Sequence, residues 1–247
     1  MSAMISTNLA VPKRALAIGA HPDDIEFGCG ATLAKWAEAG TVVHFLVLTD
    51  GSKGTWDPTR DRAELVATRR REQHDATNVI GAAAPEFGDQ IDGELESDLA
   101  TRAAVCRTIR ETRPDVVLGH DPWKRYRIHP DHRHAGLLAI EAIVAARDPL
   151  FFADQGVAPH RPSTALLFEA EVVDHVECVE PRHVDARIAA LLAHASQWES
   201  TMNIAGEDDA ARRRREQFEA AQRDECRSAG ARVGRALGES FKRLDAL

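Results

Sequence analysis

The sequence predicts an α/β fold with a mostly parallel central sheet and helices on both faces. Three observations carry this reading. Short apolar runs alternate with longer helical stretches along the chain. The runs are apolar throughout rather than at every second residue, as strands covered on both faces are. The two most unusual polar clusters, His21 to Glu26 and His120 to His134, each follow such a run. In sheets of this kind ligands gather beyond the carboxyl ends of the strands.

The elements follow in order. "RALAIGA" (14–20) reads as a short buried strand ending at His21, and "FGCGATLAKWAEAG" (27–40) as a helix. That helix sets Leu33, Ala34 and Ala37 on one side and stops at Gly40. "TVVHFLVLTDG" (41–51) is the plainest strand, a β-rich run closed by Asp50-Gly51. Residues 57–82 form a charged helix whose sparse apolar positions, Leu65, Val66, Val79 and Ile80, keep helical spacing. "FGDQIDGEL" (87–95) is a loop or short strand, 99–113 a helix ended by Pro114, and "DVVLGH" (115–120) another buried strand. A helix over 129–146 and a strand over 163–170 complete the repeating pattern, which is Rossmann-like: three layers, with the sheet in the middle.

The last third differs. "EVVDHVECVEP" (171–181) alternates like an edge strand, 183–198 is a helix, and a charge-rich stretch of helix and loop begins at Asn203. Its four arginines, Arg212 to Arg215, are flanked by acids and read as a solvated helix face rather than a phosphate site. No repeat, low-complexity tract or linker divides the chain. The expectation is one domain over 1–247, with a core of about 13–170 and residues 171–247 packed on it.

With 44% apolar and 28% charged residues, a chain of 247 residues buries most of its unfolded surface without disulfide staples. Cys29, Cys106, Cys178 and Cys226 are scattered with no CxxC pair, as reduced cysteines are. Lysines and arginines number 31 against 39 acids, a net charge of −8, which argues against general affinity for nucleic acid or anionic membrane. The N-terminal segment shows no apolar core followed by a cleavage site. No segment approaches the length that crosses a bilayer, so the expected location is the cytoplasm.

The polar clusters suit a metal. A catalytic centre of zinc type takes imidazole nitrogen and carboxylate oxygen from three side chains and keeps one position open. His21 and Asp24 are three apart, so one turn at a strand end aims both at one point, and Pro22 fixes that turn. The missing ligand must come from elsewhere, and "IHPDHRH" supplies it. Pro130 fits the first helical position, which makes His129 the N-cap and sets His132 one turn in, beside His21. Asp131 or another carboxylate would hold a histidine's second nitrogen. Iron(II) or cobalt would fit such a donor set as well as zinc.

"AHPDDIEFGCGATLA" with "HPDHRHAG" resembles the zinc-dependent de-N-acetylases of the PIG-L/LmbE type, which act on N-acetylglucosaminyl conjugates. The resemblance continues through "LTDG", "RRREQHDATNVIG", "IDGEL" and "RPDVVLGHDP", and more faintly through "LLAHASQW" and "GESF". It implies His21, Asp24 and His132 as zinc ligands and Asp23 as general base. His129 would stabilise the oxyanion or protonate the leaving amine, with Asp131 orienting it. Where the usual first motif has an acid directly after the two aspartates, Ile25 intervenes here and Glu26 follows. By the same resemblance Arg69 and Asp92 would bind sugar hydroxyls or the aglycone. Trp56 and Trp123, in loops after strands, are candidates for an apolar platform under a sugar ring. His120, at a strand end, is a candidate substrate contact or a structural hydrogen-bonding group. His194 matches a feature of the family helix, and Cys29 is expected to pack beneath the site.

The implied partner is a small acetamido sugar, with no nucleic acid or membrane partner; relatives commonly assemble, so a homo-oligomer is possible. A nucleotide-binding oxidoreductase fails because Gly28-x-Gly30 lacks the third glycine of GxGxxG and charged side chains fill the turn. A zinc amidase for larger acyl groups or thiol conjugates shares the scaffold. A non-catalytic sugar-binding relative would have lost ligands or base, and none is missing.

Overall fold

The computed structural model describes residues 5–206 and 208–247. Residues 1–4, on which the expectation for the N-terminal segment partly rests, and Glu207 of the charge-rich stretch lie outside the described residues. Among those described, one sheet holds β1 (Ser6–Thr7), β2 (Arg14–Gly19), β3 (Val42–Thr49), β4 (Glu86–Gln90), β5 (Val116–His120), β6 (Thr164–Phe168), β7 (His175–Cys178) and β8 (Gly238–Asp245). Their order is β1-β7-β8-β6-β5-β2-β3-β4. The neighbours from β4 to β6 all pair in parallel, whereas β8 runs antiparallel to both β6 and β7. From β2 the chain winds outward through β3 to β4, then returns to β5 and winds the other way. The switch point therefore lies between β2 and β5, where a crevice opens beyond the strand ends.

Six helices cover the sheet: α1 (Asp24–Glu38), α2 (Arg62–Ile80), α3 (Leu99–Thr112), α4 (Pro130–Arg147), α5 (Pro181–Ala193) and α6 (Asp209–Ala231). Successive residues of a strand face opposite sides, and β2 shows the result. Ala15 and Ala17 join a core with Leu33 and Trp36 of α1, while Leu16 and Ile18 join one with Ile109 of α3 and Leu138 of α4. Arg110 fastens α3 to the end of α4, donating to the carbonyls of Ala145, Ala146 and Asp148 in and just after its last turn.

The structure departs from the sequence reading in three places. Helix α1 starts inside the first motif, at Asp24 rather than Phe27. It kinks at Cys29 (φ −156°, ψ 19°), and Glu239 of β8 caps the second segment, its carboxylate accepting from Ala31 N at 3.0 Å and Thr32 N at 2.7 Å. Gly28 is required at this kink, because a Cβ there would lie 2.4 Å from the Phe168 ring. Next, β7 is interior, paired with β1 and β8, where an edge strand was expected. Finally, the charged segment 238–245 is a strand: Phe241 is fully buried, the buried Glu239 is paired with Arg187, and Lys242 and Arg243 are half-buried. No helix among the described residues is long and apolar enough to cross a membrane.

Candidate metal centre

Five parallel strands deliver the polar side chains of one cavity of about 530 Å³. His21 follows β2, where Thr49 pins the strand end by donating its backbone N–H and hydroxyl to Ala20 O at 2.9 and 2.8 Å. Gly19 lets the next turn close, since a Cβ there would lie 3.0 Å from Ile25 and 3.2 Å from Asp24. Asp23 then adopts a left-handed backbone (φ 101°), which strains any residue bearing a Cβ. Three contacts stabilise this turn, and a fourth, from Arg69 to Gly51, anchors the guanidinium that makes one of them. His21 N donates to Asp24 Oδ2 at 2.7 Å, and Asp23 N donates to Gln73 Oε1 at 3.2 Å. Arg69 donates to Pro22 O at 2.6 Å and to Gly51 O at 2.9 Å.

The side chains of His21, Asp24 and His132 converge. His21 Nδ1 lies 3.3 Å from Asp24 Oδ2, and His132 Nε2 lies 3.3 Å from Asp24 Oδ1. The three residues each offer a ligand atom within 4.8 Å of the others. Two imidazole nitrogens and a carboxylate oxygen form a donor set of zinc type. On the far side of His21, Nε2 meets Asp92 Oδ1 and Asp131 Oδ2, both at 3.1 Å. Carboxylates on the outer nitrogen orient a ligating imidazole, so the residues present fit a divalent cation.

The charges respond to this crowding. Burial disfavours a charged His21, yet Asp131, Asp24 and Asp92 hold its imidazole well above the ordinary value. Burial works against ionised Asp24 too, but His132 and His120 keep its carboxyl well below the usual range. Asp23 behaves oppositely. Burial pushes it up to about 6, against the pull of Arg69 and His194. Burial, with His21 and His132 nearby, holds His129 below the usual imidazole range.

The other expected residues are placed as follows. His129 is the N-cap of α4 with Pro130 in the first turn, and its ring lies 4.7 Å from His21 and 4.8 Å from His132. Its Nδ1 is buried without a partner among the described residues. Asp131 makes no hydrogen bond to His129 here: its Oδ2 faces His21 Nε2 and accepts from Gly93 N at 2.6 Å, while its Oδ1 is buried without a partner among the described residues. Arg69 and Asp92 both line the cavity; Arg69 directs its guanidinium at backbone carbonyls and at Asp23 Oδ2, 3.5 Å away. His120 also lines it, with both ring nitrogens engaged, by Asp24 at 3.2 Å and Glu169 at 3.2 Å. Trp56 and Trp123 stand outside the cavity wall, 78% and 60% exposed.

Sequence reasoning gave no role to Gln73, Arg127 or Glu169 and left that of Glu26 open. Glu26 is fully buried and accepts from Gln73 Nε2 at 2.5 Å, with His194 Nε2 at 3.6 Å. Glu26 thus braces the residue that holds Asp23, and its i+3 spacing from Asp23 was the available signal. Cys29 packs in the core under the site, where burial pushes its thiol well up and makes it inert.

Comparison with known proteins narrows the reading. The model of PIG-L, GlcNAc-PI de-N-acetylase, matches residues 16–143, just over half of the chain. The chain belongs to the PIG-L family. The matched segment carries His21, Asp23, Asp24, Arg69, Asp92, His129 and His132, whereas Glu169, His194 and Glu239 lie beyond it. The chain is similar to diacetylchitobiose deacetylase of Thermococcus kodakarensis, 40% identical over 60% of this chain and 57% of that protein. That match spans less than two thirds of the Thermococcus protein. An uncharacterized Escherichia coli deacetylase, YaiS, is 30% identical over 74% of this chain and 91% of its own length. Among solved structures, N,N'-diacetylchitobiose deacetylase of Pyrococcus horikoshii superposes with a TM-score of 0.82 and 29% identity, covering 95% of this chain and 84% of that one. As a PIG-L member, the chain has its metal-competent cluster at the strand ends of a Rossmann-like sheet.

Proposed function

We propose that this protein is a zinc-dependent hydrolase that removes the acetyl group from an acetamido sugar of N-acetylglucosaminyl type. His21, Asp24 and His132 hold the cation. When bound, zinc supplies Lewis-acid polarisation of an acyl oxygen and makes water beside it more acidic. Asp23 is the general base: it takes a proton from the attacking water and delivers it to the departing amine nitrogen. The C–N bond breaks as the new C–O bond completes acetate. Arg69 keeps Asp23 in place from the far side. His129 donates an N–H toward the acyl oxygen as negative charge develops there, and Asp131 acts from behind, setting His21 and lying close to His129.

The sugar occupies the cavity beside Asp92 and His120. Trp56 and Trp123, on the loops that follow β3 and β5, offer indole faces to the part of a longer saccharide that protrudes from it. The observation that carries the reading is Asp23. It stands next to the metal-competent cluster without belonging to it, and its strained backbone is held by Gln73.

Release of the free acid, acetate from N-acetylglucosamine and N,N'-diacetylchitobiose and the corresponding longer acid from longer acyl amides, measured with and without chelator, tests it. Chelator-sensitive acetate release from the sugars is the expected result. Preference for longer acyl amides would make the protein an amidase of wider scope. Sugar binding without turnover would make it a non-catalytic relative.

A further inference from the structure

A second group of ligand-type side chains lies behind His132. His120, His132 and Glu169 each offer a donor atom, all within 4.8 Å of one another. The space between them is filled by Arg127. Its Nη1 lies 2.7 Å from Glu169 Oε2, 3.3 Å from His120 Nδ1 and 3.3 Å from His132 Nδ1. The Arg127 side chain is only 4% exposed, and its Nε and Nη2 are buried with no partner among the described residues. Burying two donors without partners is unfavourable, so this guanidinium is held for what its remaining nitrogen does.

We propose that Arg127 is a built-in cation that occupies a second metal-binding constellation and keeps the centre to a single metal ion. The inference rests on the reading that His21, Asp24 and His132 hold the first. His132 belongs to both groups: Nε2 faces Asp24 Oδ1 at 3.3 Å and Nδ1 faces Arg127. Two nitrogens and a carboxylate oxygen would bind zinc at about 2.0–2.2 Å, where an ion would overlap Nη1. The fixed positive charge also repels a second ion.

The test counts metal. Metal-free protein is reconstituted with excess zinc, freed of unbound ion by gel filtration and analysed by elemental mass spectrometry. The wild type is expected to hold one zinc per chain. R127A is expected to hold two, as is the milder R127Q, which keeps an amide for Glu169 and removes the charge. R127A/E169Q and the charge-preserving R127K should return to one. One zinc in both neutral variants, or two in the wild type, overturns the inference. No zinc in the wild type overturns the underlying metal reading instead. A cobalt(II) titration of the wild type followed by visible absorption adds a second measurement, in which a second tight equivalent counts against Arg127 as the occupant.

Discussion

Gln73 holds Asp23 by its backbone: the glutamine carbonyl accepts the Asp23 N–H at 3.2 Å, while its amide donates to Glu26 at 2.5 Å. The side chain thereby connects a left-handed turn to a fully buried acid. Gln73→Leu leaves both groups unpartnered, which costs about 1–3 kcal/mol for each. The turn then relaxes and the base moves. The expected outcome is a kcat lower by about tenfold to a hundredfold, with KM and zinc content unchanged. Zinc loss from the variant would mean that Gln73 supports the ligands rather than the base.

Asp23→Asn keeps the shape of the turn and removes the proton acceptor. Turnover should fall by about 10²–10⁴, and zinc should remain bound if Asp23 serves as the proposed base and not as a ligand. Activity that survives the change would place the base elsewhere.

Glu239 is 3% exposed, caps the second half of α1 and faces Arg187 Nη1 at 3.2 Å. Arg187 is 1% exposed. Removing one partner of a buried ion pair costs about 3–5 kcal/mol. Glu239→Ala should therefore lower the unfolding free energy extrapolated from urea denaturation by that amount. Because α1 carries Asp24 at its start, the variant should also bind zinc more weakly.

Burial would raise the Glu169 carboxyl, but His120 and Arg127 outweigh it and bring it down to about 2. A carboxylate lowered on folding stabilises the native state above its unfolded value of about 4.5. That stability is lost as pH falls from about 4.5 toward about 2. Thermal unfolding of the wild type should show this acid-side loss, and Glu169→Gln should flatten it within the same window. Parallel curves would show that Glu169 contributes nothing to the pH dependence.

The tripeptide His-Pro-Asp shows how much of the site was readable. At 129–131 it behaves as local rules dictate, with Pro130 in the first turn of α4 and His129 as N-cap. At 21–23 the same letters form a strained turn, with Asp23 left-handed and the helix starting at Asp24. The difference comes from Gln73 and Arg69, some fifty positions away, and no local pattern encodes them. The buried strands were legible because apolar runs covered on both faces admit little else. Strand β8 was not, since Phe241 is its one fully buried apolar side chain and Glu239, buried beside it, is a charged residue. Arg127 and Glu169 were equally hidden: each is one charged residue in a loop, and only the closing of β5 against β6 brings them to His120.

The placement of β8 has a consequence for the fate of damaged molecules. A strand on the margin can be clipped away and leave the remainder intact. This one lies between β6 and β7, so cleavage near 232–237 followed by loss of 238–245 would divide the sheet and bare hydrogen-bonding backbone on both sides. Exposed strand edges recruit other chains. A nicked copy would therefore aggregate instead of persisting as a shortened chain.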